Sequence, residues 1–335
     1  RRRRRWAALA GALGLAGVAT LVALLPAPEP AGPACPAAEE RLAGVWDEGR
    51  AVALRDAFTA SELPYALDTW ARTQARLDQH AASWAERYEA LCAEMVDAGA
   101  SPALDHEMAC LRSRREELHA LVELLAGGDP QVIAKATQAA AELAPIGSCR
   151  SEGAEAAAMA SPRPEQQAAV DEIRLALARA EAAYKAGTID LGIERARAAL
   201  EDARALGYLP VEVEALYRLG MLQALAGQLD DAVRNLGDAA LRGVEARHDR
   251  VAARAATSTA FVVGYQQGRP EDGQVWIRHA TAALERLGPD PGLDADLRVT
   301  RAAILTAQGH FEAALPEFRQ GLAEREQALG ADHPL

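Results

Sequence analysis

The chain has 335 residues, half of them hydrophobic by a broad count and only 4% aromatic, with 36 Lys and Arg against 48 Asp and Glu. Without Arg1 to Arg5 the balance is 31 basic against 48 acidic residues, or −17. That excess of carboxylates repels phosphate backbones and excludes nucleic acid as a partner. Alanine in place of aromatics points to closely packed helices rather than a sheet core.

The chain opens RRRRRWAALAGALGLAGVATLVALLPAP. Residues 1–5 form a basic flank. From Ala7 to Leu25 there are 19 residues without a charge, about 28 Å of helix and close to the thickness of a bilayer core. A cleavable signal has a shorter apolar core, so residues 6–25 read as a transmembrane helix through a lipid bilayer. The arginines precede the span and no basic residue follows until Arg41. The positive-inside rule then gives a single-pass inner-membrane protein with its N-terminus cytoplasmic and residues 26–335 extracytoplasmic. Ala10 and Gly14 form a small-xxx-small pair of the kind that supports a homodimer. No methionine precedes Met95, so the chain reads as a piece of a longer protein.

Residues 26–36, PAPEPAGPACP, hold five prolines and read as a stiff spacer. Residues 37–146 read as a helical bundle. Its first helix covers roughly 38–60. A long second one carries Trp70, Leu77, Trp84, Tyr88, Leu91 and Met95 on one face. Ser101 and Pro102 supply an N-cap and a first-turn proline for a third helix, whose stripe is Leu104, Met108, Leu111, Leu118, Leu121, Val122 and Leu125. After GGDP comes a shorter stripe with Val132, Ile133, Ala136, Ala140 and Leu143.

The four cysteines, Cys35, Cys92, Cys110 and Cys149, all precede residue 150. An even number confined to one region outside the cytoplasm reads as two disulfides. Of the three connectivities, hairpin geometry favours Cys92–Cys110 with Cys35–Cys149. Cys92, His106 and Cys110 lack a tight CxxC pair, so no metal site is assigned.

Residues 147–167 lose the periodicity and read as a linker. Residues 168–335 carry an internal repeat: AYKAGTIDLGIERARAALE, QALAGQLDDAVRNLGDAAL, GYQQGRPEDGQVWIRHATA and LTAQGHFEAALPEFRQGLA. Their turn glycines Gly187, Gly227, Gly268 and Gly309 lie 40, 41 and 41 residues apart. Small and bulky positions agree across the units: Leu219, Gly220, Ala232, Leu236 and Ala239 in the second, Ala302, Ala314 and Phe318 in the fourth. Gly192 and Gly273 hold the crossing position in the first and third, and Gly321 replaces an expected alanine. These residues resemble the tetratricopeptide repeat, in a long form ending LG-x-DHP similar to that of kinesin light chains. A further unit is expected after Leu335.

The resemblance implies a groove lined by the first helix of each pair and able to take a protein or peptide. Its candidate residues are Arg174, Leu177, Glu181 and Tyr184, then Tyr217, Met221 and Leu225, then Val262, Tyr265 and Gln266. The alternative for each is packing against a neighbouring helix, and the sequence leaves the two open. The expected fold class is all-α: a single transmembrane helix, a disulfide-bearing bundle and a tetratricopeptide-repeat solenoid.

Catalytic motifs are missing from the chain: there is no GxxxxGK[ST], HExxH or GxSxG. QVIAK at 131–135 and DLG at 190–192 echo kinase motifs, but both stand in helical contexts without a glycine loop. The order of segments, with CPAAEERLAGVWD, FTASELPYALDTWARTQARLDQHAASW, DHEMACLRSRREELHALVELL and the later GSC, resembles the C-terminal region of a myxobacterial-type Hanks serine/threonine protein kinase. That resemblance implies a kinase domain upstream, using ATP and Mg, with this chain as its extracytoplasmic sensory and interaction region. No catalytic residue and no cofactor site carries over onto residues 1–335. A membrane-tethered scaffold without an enzyme is the other reading.

Overall fold

The computed structural model describes residues 35–99, 101–149, 159 and 162–329. Contacts divide the chain into two units, Arg1–Pro36 and Ala37–Leu335. In the second, every regular element among the described residues is helical. The bundle contains α1 (Ala38–Leu42), α2 (Glu48–Ala60), α3 (Ala66–Ala98), α4 (Pro102–Ala126), α5 (Pro130–Ala134) and α6 (Ala136–Ala141). Four helix pairs follow. They are α7 (Gln167–Lys185) with α8 (Ile189–Leu206), α9 (Leu209–Leu225) with α10 (Leu229–Glu245), α11 (Asp249–Phe261) with α12 (Pro270–Leu287), and α13 (Pro291–Ala307) with α14 (Phe311–Leu329).

Local chemistry explains where the bundle helices begin. The side chain of Ser101 accepts from the Leu104 N–H and that of Asp129 from the Gln131 N–H, each just before a proline at the first helical position. These caps satisfy backbone donors that the first turn leaves without partners. Leu77, Trp84 and Leu91 of α3 are buried against Leu111, Leu118 and Leu125 of α4. The Trp84 indole N–H donates to the Leu111 carbonyl at 2.7 Å, so the most deeply buried tryptophan of this core has its polar atom satisfied.

The expected fold class is corrected in one respect. No helix among the described residues is long and apolar enough to cross a membrane. The longest, α3, has 33 residues, but it is amphipathic and carries charges along its length. The single-pass inner-membrane placement, with residues 26–335 extracytoplasmic, is corrected with it. Residues 6–25, where the span was expected, lie outside the described residues.

The expected cysteine pairing is also replaced. Cys110 is bonded to Cys149, with 5.5 Å between Cα atoms; Cys35 and Cys92 are disulfide-bonded too, and no cysteine is free. Neither Cys92–Cys110 nor Cys35–Cys149 forms. The reason is the register of the α3–α4 hairpin. Arg87 meets Glu107 at 2.7 Å and Trp84 meets Leu111, which sets Cys92 level with the start of α4. Cys110 then lies about 11 Å further along the axis, beside the turn that follows Ile146–Ser148.

Bundle and repeats share a helix. Ala178, Ala182 and Ala186, on and just past α7, are buried in the bundle core, whereas Val170, Ile173, Leu177 and Ala180 are buried in the repeat core. Helix α4 packs along α7, and Arg179 of α7 pairs with Glu123 of α4 at 2.9 Å. The bundle therefore closes one end of the array, a position that needs an atypical cap in a stacked-repeat protein.

Within the pairs, Gly187, Gly227, Gly268 and Gly309 all have positive φ, between 66° and 85°, a conformation that costs other L-residues about 1 kcal/mol or more. The third pair carries an added device. Its first helix continues as a π turn over Val262–Gln266. Phe261 occupies the repeat offset held by Gly220 and Ala302, where a small residue is needed. The π turn brings Gly264 to the crossing instead: a Cβ on Gly273 would lie 2.6 Å from the Gly264 Cα.

Two outcomes follow from this packing. A peptide map without reduction should recover Cys110 joined to Cys149, and removing that bridge should cost about 4 kcal/mol for a closed loop of this length. The second concerns His80 on α3, whose Nε2 is buried without a hydrogen bond. Burial pushes its pKa down to about 4, against a pull upward from Glu117 and a further push down from Arg114 and Lys185. Stability from this neutral histidine is full above pH 6.5 and is lost as pH falls towards 4, by roughly 3 kcal/mol. Urea unfolding at pH 7 and pH 4.5 should show that loss in the wild type and much less of it in His80→Leu.

Candidate partner-binding face

The first helices α7, α9, α11 and α13 stack side by side. Opposite charges stand at equivalent or neighbouring offsets on successive first helices, so each pair ties one unit to the next. Arg174 of α7 donates to both carboxylate oxygens of Glu214 on α9, at 3.0 and 2.8 Å. The other side of Glu214 is met by His248, at 3.6 Å. Arg250 of α11 pairs with Asp290 at the start of α13.

A second cluster surrounds Glu181. It pairs with Arg218 of α9 and, at 3.2 Å, with Lys185, and Arg254 of α11 adds to the positive field around it. The Arg254 guanidinium lies over the Tyr217 ring, 4.9 Å from its centroid, a cation–π contact that joins α9 to α11. Burial raises the pKa of both carboxylates, Glu181 and Glu214, but the surrounding cations outweigh it and hold each well below the usual carboxylate range.

These clusters account for several of the candidate residues. Arg174 and Glu181 are committed to inter-helix ion pairs. Tyr217 is buried under Arg254, Val262 and Leu177 are buried, and Tyr184 and Met221 pack partly buried against the repeat core. Tyr265 is 46% exposed and Leu225 48% exposed, and Gln266 is exposed as well. The Tyr265 ring centroid lies 5.2 Å from that of the half-buried Phe261, so the π turn holds Tyr265 at the surface against a second aromatic ring. The structure thus brings Glu181 and Tyr217 together through Arg218 and Arg254, and leaves Leu225, Tyr265 and Gln266 open near the turn end of the face.

Glu214, Arg218, His248 and Arg254 were missed by sequence reasoning. One signal could have found the first of them: Arg174 and Glu214 hold the same offset, 13 residues before the turn glycine, with opposite charge. No group of His, Cys, Asp and Glu among the described residues is arranged to hold a metal ion. No protein-family model, curated protein or solved structure matches the chain.

The Arg174–Glu214 pair makes a measurable claim. Arg174→Met leaves a half-buried carboxylate without its two-point partner and should lower stability in urea by about 2 kcal/mol, while Arg174→Met combined with Glu214→Leu should recover most of that loss. Because Glu181 and Glu214 are held below their unfolded values, the stability they add is present above the ordinary carboxylate range and is lost as pH falls through their lowered pKa values. Acid unfolding of Glu214→Gln should accordingly begin from a less stable protein at pH 6 and fall less steeply below pH 4.

Proposed function

We propose that the four helix pairs form a protein-interaction module that takes a peptide or protein segment along the first-helix face, at its exposed end. The observation that carries this reading is the exposed Tyr265 on the π turn, packed against the half-buried Phe261 ring at the end of α11, with Leu225 exposed at the corresponding end of α9. Exposed apolar and aromatic side chains on a rigid scaffold supply binding energy with little loss of side-chain freedom. The ion pairs toward the opposite end of the same face hold α7, α9 and α11 in place, so the open end is presented by elements that do not have to order on binding. By its resemblance to the C-terminal region of a Hanks-type kinase, the module serves a serine/threonine protein kinase, localising it or controlling its assembly.

Panning a random-peptide display library against the protein tests the interaction reading. It should enrich sequences whose binding falls at least tenfold on Tyr265→Ala or Leu225→Ala and is unchanged on Val52→Ala, an exposed residue of α2. Enrichment insensitive to Tyr265 and Leu225 would remove the face from consideration. The kinase part is tested separately by the coding sequence adjoining residue 1, where a GxGxxGxV loop followed by HRDxxxxN is expected.

A further inference from the structure

The third and fourth helix pairs do not close against one another as the earlier pairs do. Between them lies a cleft of about 680 Å³, lined by α12, α13, α14 and the Gly288–Pro291 connection, a volume in the range of small-ligand sites. It opens between the second helices α12 and α14, with α13 as its floor, so it is separate from the partner-binding face above.

Equivalent repeat positions show why it is open. On the floor stand Arg298 and Arg301. The same offsets hold Leu216 and Leu219 in α9 and Thr257 and Ala260 in α11, all four of them buried. At the rim stand Glu285, Asp294 and Glu324. The corresponding positions between the first and second pairs are Arg204, Glu212 and Arg242, in which Glu212 pairs with both arginines and shuts the corner. Between the second and third pairs they are Val244, Ala253 and Ala283. Here Glu324 turns to Arg298 on the floor, and among the described residues Glu285 and Asp294 have no cation at the rim to shut the corner.

The charges inside are only partly balanced. Arg298 pairs with Glu317 and Glu324, each at 3.1 Å. Arg301 has the Thr281 hydroxyl as its acceptor, at 2.8 Å, and no carboxylate pairs with it among the described residues. Glu285 and Asp294 are exposed and make no ion pair among the described residues. The cleft is thus lined by a half-buried guanidinium on its floor and by two carboxylates that make no ion pair among the described residues.

We infer that this cleft binds a zwitterionic ligand, its carboxylate on Arg301 and its ammonium or guanidinium at Glu285 and Asp294. Both charges are needed: a cation alone would leave Arg301 without an anion, and an anion alone would be repelled at the rim. Two sources share this chemistry, a free basic amino acid and a peptide stretch that sets an acidic side chain beside a basic one.

Saturation-transfer NMR on the full chain tests it, with free L-lysine and acetyl-Glu-Lys-amide as probes and propylamine and propionate as single-charge controls. At least one zwitterionic probe should bind saturably with Kd near 1 mM, about the affinity expected of a small polar contact set, and at least tenfold more tightly than either control. Which probe binds identifies the source. Arg301→Leu restores the residue type found at position 219, so it should keep or raise Tm while weakening the probe at least tenfold. Glu285→Val, matching position 244, should weaken it similarly from the exposed rim. Absence of saturation with both probes, equal binding by propylamine, or variants that lower Tm without changing binding would overturn the assignment. None of these results depends on Tyr265 or Leu225, so the cleft and the partner-binding face fail or stand separately.

Discussion

The whole array depends on how closely the two helices of each pair can cross. Five residues past each turn glycine stands Gly192, Ala232, Gly273 or Ala314, and all four are buried. A Cβ on Gly192 would come within 2.9 Å of the Ala180 carbonyl oxygen, and one on Gly220 within 2.7 Å of the Leu236 side chain. With no room for a side chain, backbones approach until dispersion contacts are made along the full helix, and the pair becomes a rigid unit. Units stiffened in this way can stack on one another, and the stacking then places Arg174 against Glu214 and Arg254 over Tyr217.

The third pair shows how strictly that constraint acts. Phe261 falls where a small residue is required, and the backbone itself adjusts to it. The backbone takes up an i→i+5 turn, with the Gln267 N–H bonded to the Val262 carbonyl at 2.8 Å. The register slips until Gly264 faces Gly273. Restoring the close crossing simultaneously turns Tyr265 to the surface. The close crossing and the presentation of Tyr265 are thus consequences of one backbone adjustment.

What could be read from the sequence was whatever repeats with the period of a helix or of a unit. The stripe from Trp70 to Met95, the caps at Ser101 and Asp129 and the turn glycines are local signals, and the helices begin and end where those residues put them. The disulfide pairing was not legible, because it depends on the offset between α3 and α4, and the residues between Gly99 and Pro102 do not state that offset. The groove was legible as a face but not as a surface. Burial of Tyr217 and Val262 depends on Arg254 and on the neighbouring helix, partners about 40 residues away. The π turn had only one hint in the sequence, a bulky Phe261 at a small position followed three residues later by glycine.

Helix α14 makes the energetics of stacking visible from the other side. Ala196, Leu236 and Ile277 occupy one offset on the earlier second helices and are buried in the continuous repeat core. Phe318 holds that offset on α14 and is 37% exposed, and Leu322, at the offset of buried Leu200 and Ala240, is 45% exposed. Burying apolar surface is worth about 25 cal/mol per Å², so a second helix gains from its successor a share of stability that its own hairpin partner does not supply. The bundle meets the same need at the opposite end through the alanines of α7. Part of the stability of this fold resides in the interfaces between units, and an interface that carries Arg298 and Arg301 where another carries leucine has exchanged some of it for a polar cleft.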